Sequence, residues 1–124
     1  MDTRSKILSL EAAGALDGPL TVATGYFNPL LAEHALHLAR VRVNGNGARL
    51  LVGVLPVEPE LLPQRARAEL LAALGVVDYV VAAGSGDLDE LIAALHPAHV
   101  ERLEAADAQR TRELIDHAHR RQIR

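Results

Sequence analysis

The sequence predicts an α/β fold in which a parallel sheet carries helices on both faces. Short apolar runs at 20–24, 50–55 and 76–83 have the length of strands and alternate with helical patterns. The second run is continuously apolar, as expected for a strand buried on both faces. The chain has 124 residues and is 49% hydrophobic, which suits one domain with a sizeable core. We therefore expect a single domain, 1–124, built on a three-layer Rossmann-like sheet of four or five parallel strands.

The predicted elements follow one another with short connections, and no internal repeat or linker interrupts them. An extra helix within 1–18 precedes the first strand, and a helix within 104–124 closes the chain. In chain order we predict helix 4–16, strand 20–24, helix 32–43, strand 50–55, helix 64–74, strand 76–83, a helix from 85 to about 95, a weak strand within 96–103, and helix 105–121.

Two element boundaries depend on local turn chemistry. Asn44-Gly45-Asn46-Gly47 fits either a type I′ hairpin turn or a helix C-cap, and the long helical run before it favours the cap. Ser85 or Asp87 is expected to cap the helix that follows the third strand, because both side chains can accept from free backbone N–H groups.

Composition and charge narrow the class of protein. The absence of cysteine excludes disulfides, thiol catalysis and thiolate metal sites. The formal net charge is −3, and only the C-terminal segment 110–124 is locally basic, so nucleic-acid binding is not expected. No apolar run approaches the length of about 18 residues that a membrane helix needs. We therefore predict a cytoplasmic protein that does not bind membranes.

The segment TGYFNPLLAEH, 24–34, joins the first strand to the next helix and is the strongest candidate site. Gly25 allows a ligand to approach the backbone closely, and the free N–H groups of the following helix favour a phosphate. Asn28 and His34 can donate hydrogen bonds into the same crevice. Because ligands of parallel α/β folds bind beyond the carboxyl ends of the strands, three loops should meet there: 25–31, 55–63 and 83–87.

This segment resembles the first motif of the cytidylyltransferase-like nucleotidyltransferases, which reads approximately G-x-F-[DN]-x-x-H-x-G-H. Gly25, Phe27, Asn28 and His34 match it. The superfamily includes glycerol-phosphate cytidylyltransferases, heptose-phosphate adenylyltransferases and mononucleotide adenylyltransferases. A second match at the family's spacing is the set Pro63, Arg67 and Val77-Asp78, so that the resemblance spans about residues 20–83.

The resemblance implies a nucleotide site and its residues. His34 would be the catalytic residue, and CTP or ATP would bind, with Mg²⁺ accompanying the bound nucleotide. Relatives are commonly dimers, so a homodimer is expected. The nucleotide- and phosphate-binding residues would be Gly25, Tyr26, Phe27, Asn28, Arg67 and Arg102, the last in place of a family lysine.

The sequence also departs from the family pattern. Leu31 replaces the first histidine of the motif, and Glu33 replaces its glycine. A carboxylate about 4 Å from a phosphate costs about 4 kcal/mol at an effective dielectric near 20. The family's C-terminal Ser-Thr-rich phosphate motif has no counterpart. These departures predict a degenerate nucleotide-binding domain that does not carry out ordinary nucleotidyl transfer. Two alternatives are an active nucleotidyltransferase that releases pyrophosphate and a non-catalytic homodimeric interaction module.

Several candidate residues also have purely structural interpretations. His34 can cover the sheet edge, Arg67 can form an ion pair, and Asp78 is interpreted as a local salt-bridge partner without chemistry. His34 and His37 share a helix face, as metal ligands can, but no third ligand is evident, and we predict no metal site.

Overall fold

The computed structural model describes residues 2–123, apart from the side chains of Arg110, Thr111, Gln122 and Ile123. Met1 and Arg124, at the two ends of the predicted domain, lie outside the described residues. The elements are a 3₁₀ helix Thr3–Lys6, α1 Leu10–Gly14, β1 Leu20–Gly25, α2 Ala32–Asn44, β2 Arg49–Val54, α3 Gln64–Ala72, β3 Tyr79–Ala82, α4 Ser85–Leu95, β4 His99–Arg102 and α5 Glu104–Ile123.

The four strands form one parallel sheet in the order β3-β2-β1-β4, which confirms the predicted α/β fold. β1 lies in the middle of the sheet, with Leu20–Gly25 beside Arg49–Val54 and Thr21–Thr24 beside His99–Arg102. Side chains that alternate along each strand feed two cores. One core, between the sheet and α2 and α3, includes Phe27, Leu38, Val52 and Leu71. The other, between the sheet and α1 and α4, includes Ala13, Val22, Leu51, Leu88 and Leu91.

The predicted N-terminal helix 4–16 is wrong, because an extended segment interrupts it. Ile7 forms a parallel bridge with Val80 at the free edge of β3, and the Leu8 N–H donates to the Val80 carbonyl at 2.8 Å. The Ser9 side chain then accepts from the Ala12 N–H and starts the short helix α1. Pairing with a strand far along the chain outweighs the local helical pattern.

The Asn-Gly repeat ends α2, as predicted, and the parallel pairing of β1 with β2 excludes a hairpin at this point. The left-handed residues are Asn46 and Gly47, with φ of 53° and 89°, while Gly45 has a φ of −77°. The C-cap prediction therefore holds for the helix end, although Gly45 itself does not adopt the left-handed conformation.

Other boundaries differ from prediction by a few residues. The N-cap of α4 is Gly84, in extended conformation and without a side-chain hydrogen bond, so the predicted caps Ser85 and Asp87 are wrong. β3 begins at Tyr79, because the Val77 N–H donates to the Leu74 carbonyl in a turn and does not join the sheet. Within residues 2–123, no helix combines the length and apolar character needed to cross a membrane.

Candidate ligand site at the carboxyl edge of the sheet

The loop after β1 is held against the loop after β2 by the side chain of Asn28, which is buried. Its Nδ2 donates to the Pro59 carbonyl at 2.8 Å, and its Oδ1 accepts from the N–H groups of Leu61 and Leu62 at 2.7 and 3.2 Å. These two of the three predicted loops therefore meet, and Ser85 of the third, 83–87, lines a cavity with Tyr26 and Leu55, as expected. Asn28, however, uses its amide to join these loops, so the structure does not present it to a phosphate.

Arg67 joins the same loops from α3, and its side chain is fully buried. Its Nη1 donates to the carbonyls of Tyr26 and Leu55 at 2.6 and 2.8 Å, and its Nε donates to the Leu62 carbonyl at 3.0 Å. Burial lowers the pKa of the Arg67 guanidinium, and the Glu60 carboxylate, 3.9 Å from Nη2, partly offsets this. Arg67, which the sequence predicted to bind phosphate, instead joins the two loops by donating to three backbone carbonyls.

His34 lies in the first turn of α2, where its ring is buried and faces the first turn of α5. Its Nε2 lies 2.5 Å from Oδ1 of Asp107, a residue 73 positions further along the chain. Its Nδ1 accepts from the Leu31 N–H at 2.9 Å. Because a backbone N–H can only donate, Nδ1 carries the lone pair, and Nε2 carries the proton that is donated to Asp107. The hydrogen bonds therefore define a neutral imidazole with its proton on Nε2.

The other carboxylate oxygen of Asp107 occupies the loop where the sequence predicted a phosphate. Oδ2 accepts from the Tyr26 N–H at 2.8 Å and from the Phe27 N–H at 3.3 Å. We call these two N–H groups and the Nε2–H of His34 the donor cluster. A Cβ on Gly25 would lie 2.4 Å from Oδ2 of Asp107, so glycine is required here for the approach of a carboxylate from the chain itself.

Phe27 fixes the shape of the donor cluster. Its φ of 51° is a left-handed conformation, which is uncommon for a bulky residue and carries backbone strain. Its ring is fully buried and meets the His34 ring edge to face, with centroids 5.3 Å apart. Burial of the ring on the α2 side holds the strained turn, which directs both N–H groups toward Asp107.

A cavity of about 310 Å³ remains open on the opposite side of the same loop, beside α4. We call it the carboxyl-edge cavity. The walls of the cavity are partly apolar. Tyr26 packs against the core that lies between the sheet and helices α1 and α4. Its lining residues are Thr24, Tyr26, Leu55, Pro56, Ser85, Leu88, Asp89, Arg102 and Glu104.

The charges around this cavity are mainly negative. Arg102, the predicted replacement for the family lysine, does line the cavity, but its Nη1 is paired with Oδ1 of Asp89 at 3.2 Å. Glu104, in the first turn of α5, accepts a hydrogen bond from the buried hydroxyl of Thr24. Two carboxylates and one guanidinium leave a net negative wall, which favours an uncharged or weakly charged ligand over a polyphosphate.

Glu33 is exposed and lies in a separate groove. It lines this groove with Leu31, Glu113 and Leu114, where the start of α2 faces the middle of α5. The sequence predicted that Glu33 would repel a phosphate, but the structure places it outside the carboxyl-edge cavity. The charge that fills the donor cluster belongs to Asp107.

Asp107 and Glu104 are the site residues that sequence reasoning missed. Their signal was available, since both are acids in the first turn of a helix that directly follows a predicted strand. In the order β3-β2-β1-β4, the end of β4 lies beside the end of β1, so first-turn acids of α5 must approach the loop 25–31. The sequence alone did not indicate which strand would neighbour β1.

Asp78, predicted to be a salt-bridge partner without chemistry, forms that salt bridge at the amino edge of the sheet. Its Oδ2 accepts from Nε of Arg42 at 3.0 Å and from the Leu50 N–H at 2.8 Å. Burial acts to raise the pKa of the Asp78 carboxyl, but the hydrogen bonds from Arg42 and Leu50 outweigh it and hold that pKa below its ordinary value.

His34 and His37, considered as a metal pair, have different partners. His34 bonds to Asp107, while Nε2 of His37 lies 3.7 Å from Oε1 of Glu101 on β4. Among the described residues, no group of three histidine or carboxylate side chains is arranged to hold a metal ion. Comparison of the chain with protein-family models and with curated proteins finds no match.

Proposed function

We propose that this protein is a degenerate nucleotide-binding domain of the cytidylyltransferase-like kind, which binds the nucleoside part of a ligand and does not transfer a nucleotidyl group. The observation that carries the proposal is the position of Asp107. Its carboxylate accepts from the Tyr26 N–H, the Phe27 N–H and Nε2 of His34. These donors are the groups that a triphosphate would need at this loop, and the protein already uses them.

The buried partners of the loop support the same conclusion. Catalysis by oriented donors requires groups that point at the charge developing in the transition state. His34 and Arg67 are buried side chains, and Nε2 of His34 and Nε and Nη1 of Arg67 donate to protein oxygens. Nη2 of Arg67 is buried without a hydrogen bond to any residue that the structure describes, and it lies 3.9 Å from the Glu60 carboxylate. A phosphate would have to displace the Asp107 carboxylate, and two anions cannot share one set of donors without strong repulsion.

The carboxyl-edge cavity supports retention of nucleoside binding. Its volume of about 310 Å³ is at the lower end of the range of ligand pockets. The Tyr26 ring and the side chains of Leu55 and Leu88 offer apolar contacts to a base, while Thr24 and Ser85 bring hydroxyl groups to the lining. The carboxylates of Asp89 and Glu104 disfavour a triphosphate at the same place.

Calorimetric titration with cytidine, adenosine, CTP and ATP, with and without Mg²⁺, tests this proposal. We expect one nucleoside to bind at least as tightly as its triphosphate, and Mg²⁺ to give no increase in affinity. Tyr26→Leu should weaken nucleoside binding about tenfold, because a ring contact with a base contributes on the order of 1–3 kcal/mol. Tyr79→Leu changes the only other tyrosine, which is on β3, and should leave binding unchanged.

Two results would contradict the proposal. A Mg²⁺-dependent preference for CTP or ATP, together with pyrophosphate release when a phosphorylated alcohol or sugar is added, would establish the active nucleotidyltransferase. Equal titration curves for wild type and Tyr26→Leu would show that the ligand lies outside the carboxyl-edge cavity.

Helix α5 favours the homodimeric interaction module as a second candidate function. The described side chains from 112 to 121 are all exposed, and they include Leu114 and Ile115 at 42% and 37% relative exposure. The exposed part of this helix gains little stability from its own propensity, and a second copy could cover this face. Light scattering should then give twice the monomer mass, and Leu114→Lys should halve it. A monomer at high concentration would exclude this candidate.

A further inference from the structure

A second cavity lies away from the donor cluster, between the C-terminal half of α2 and the edge strand β4. We call it the α2–β4 crevice. It has a volume of about 310 Å³, and its lining residues are Thr21, Val41, Asn44, Gly45, His99 and Glu101. Because Thr21 and His99 are partners at the start of β1 and β4, the crevice begins at the amino end of the sheet. Neither the proposed nucleoside site nor the family resemblance involves it.

The floor of the crevice contains a buried hydroxyl without a partner. Thr21 is 1% exposed, and its Oγ1 has no hydrogen bond within the described structure. A Cβ on Gly45 would lie 2.9 Å from this oxygen, so the hydroxyl packs closely against the backbone of Gly45, which also lines the crevice. An unpaired buried hydroxyl is costly, and a ligand that supplies a donor would remove that cost.

The electrostatics of the crevice select the charge of the ligand. The carboxylate of Glu101 lines one wall, and hydrogen bonding from His99 lowers the pKa of Glu101 below its ordinary value and keeps it ionised. Asn44 and Gly45 mark the C-terminal end of α2, where the helix dipole is negative. Both features attract a cation, and the two imidazoles near Glu101 leave part of its four lone-pair sites available.

We infer that the α2–β4 crevice binds a primary alkylammonium ion, with its N–H groups donating to the Thr21 hydroxyl and the Glu101 carboxylate. An ammonium has three donors and no acceptor, which matches the two acceptors, the Thr21 hydroxyl and the Glu101 carboxylate, that line the same crevice. The alkyl chain lies against Val41, which is buried at the wall of the crevice. The ligand class is therefore an amine with a short apolar chain.

Titration of the ¹⁵N-labelled protein with n-butylammonium chloride tests this site, with n-butanol and sodium butyrate as neutral and anionic probes of similar size. We expect saturable shifts of the Thr21, Gly45 and Glu101 amides with the ammonium alone. Glu101→Gln should weaken binding about tenfold or more, and Thr21→Val about fivefold, in line with losing a charged and a neutral hydrogen bond. Glu90→Gln, on α4, is the matched control and should bind as wild type does.

Thr21→Val also tests whether a loss of binding comes from misfolding, because valine is isosteric with threonine and removes the unpaired hydroxyl. The variant should unfold at the same temperature as wild type or higher, so a loss of binding cannot be attributed to misfolding. Absence of saturable shifts at millimolar n-butylammonium would overturn the proposal. Equal shifts with n-butanol would also overturn it, since the crevice would then be an apolar pocket without cation recognition.

Discussion

Two aspartates anchor opposite edges of the sheet, each by accepting from backbone N–H groups and from a basic side chain, but their burial is very different. Asp107, at the carboxyl edge, accepts from two backbone N–H groups and from His34, and its side chain is 1% exposed. Asp78, at the amino edge, accepts from one backbone N–H and from Arg42, and its side chain is 24% exposed. One carboxylate therefore lies in the core, while the other lies close to the surface.

This difference in burial predicts how much each edge contributes to stability. The side chains of His34 and Asp107 at the carboxyl edge are 2% and 1% exposed, so the loss of one leaves buried polar groups without a partner. At the amino edge, where the side chains of Arg42 and Asp78 are 36% and 24% exposed, water can replace a missing partner. The same substitution should therefore cost much more at Asp107 than at Asp78.

The largest effect is expected for Arg67→Met. The variant keeps the apolar stem but leaves the carbonyls of Tyr26, Leu55 and Leu62 without their donor, and the free energy of unfolding should fall by about 3–5 kcal/mol. Urea denaturation followed by circular dichroism measures it. Arg65→Met, two residues earlier on the exposed face, is the control and should change stability by less than about 0.5 kcal/mol. Similar changes in the free energy of unfolding for both variants would show that the buried hydrogen bonds of Arg67 do not stabilise the fold.

Asp107→Ala should lower the free energy of unfolding by about 2–4 kcal/mol, because it leaves the buried donors of Tyr26, Phe27 and His34 unpaired. Chemical denaturation again supplies the measurement. Asp116→Ala, at an exposed position of the same helix, should change stability by less than about 0.5 kcal/mol. A loss below about 1 kcal/mol for Asp107→Ala would show that Asp107 contributes no more stability than Asp78, which would contradict the expected difference between the two edges.

The amino edge should make a smaller contribution that depends on pH. The pKa of Asp78 is lower in the folded protein than its ordinary value near 3.9, so its stabilisation is present above that value. It is lost as the pH falls through the lower, folded pKa. Asp78→Asn should remove about 1 kcal/mol at neutral pH and reduce the loss of stability in acid. Unfolding midpoints measured from neutral to strongly acidic pH test this, with Asp17→Asn as an exposed control. A parallel acid profile for Asp78→Asn and wild type would contradict it.

The smallest effect is expected for Arg102→Gln. Arg102 and Asp89 have half-exposed side chains, and surface ion pairs of this kind contribute between zero and about 1 kcal/mol. Thermal unfolding should therefore shift by a degree or two at most. A loss of stability comparable to that of Arg67→Met would show that the contacts at the carboxyl-edge cavity stabilise the fold as much as the buried contacts of Arg67 do.

The sequence was sufficient to predict the alternation of strands and helices. It was also sufficient to predict that the loops after β1 and β2 meet. Both follow from local patterns, namely apolar runs such as 50–55 and the geometry of parallel strands. It was also sufficient to single out Asn28, His34 and Arg67 as unusual polar residues at one edge. It was not sufficient to assign their partners, because His34 meets Asp107 only once β4 lies beside β1. The prediction of one continuous N-terminal helix was wrong for the same reason, since Ile7 pairs with Val80, which is distant in the sequence.

The central claim is that the Asp107 carboxylate occupies the donor cluster and excludes phosphate, and a pyrophosphate titration of the ¹⁵N-labelled wild-type protein tests it most directly. We predict that the amide signals of Tyr26 and Phe27 stay unchanged at millimolar pyrophosphate, and that the His34 ring shows a neutral imidazole protonated on Nε2. In Asp107→Ala the same two amides should shift and saturate. Saturable shifts of Tyr26 and Phe27 in the wild-type protein would contradict the account, because the loop would then be open to an anion with Asp107 in place.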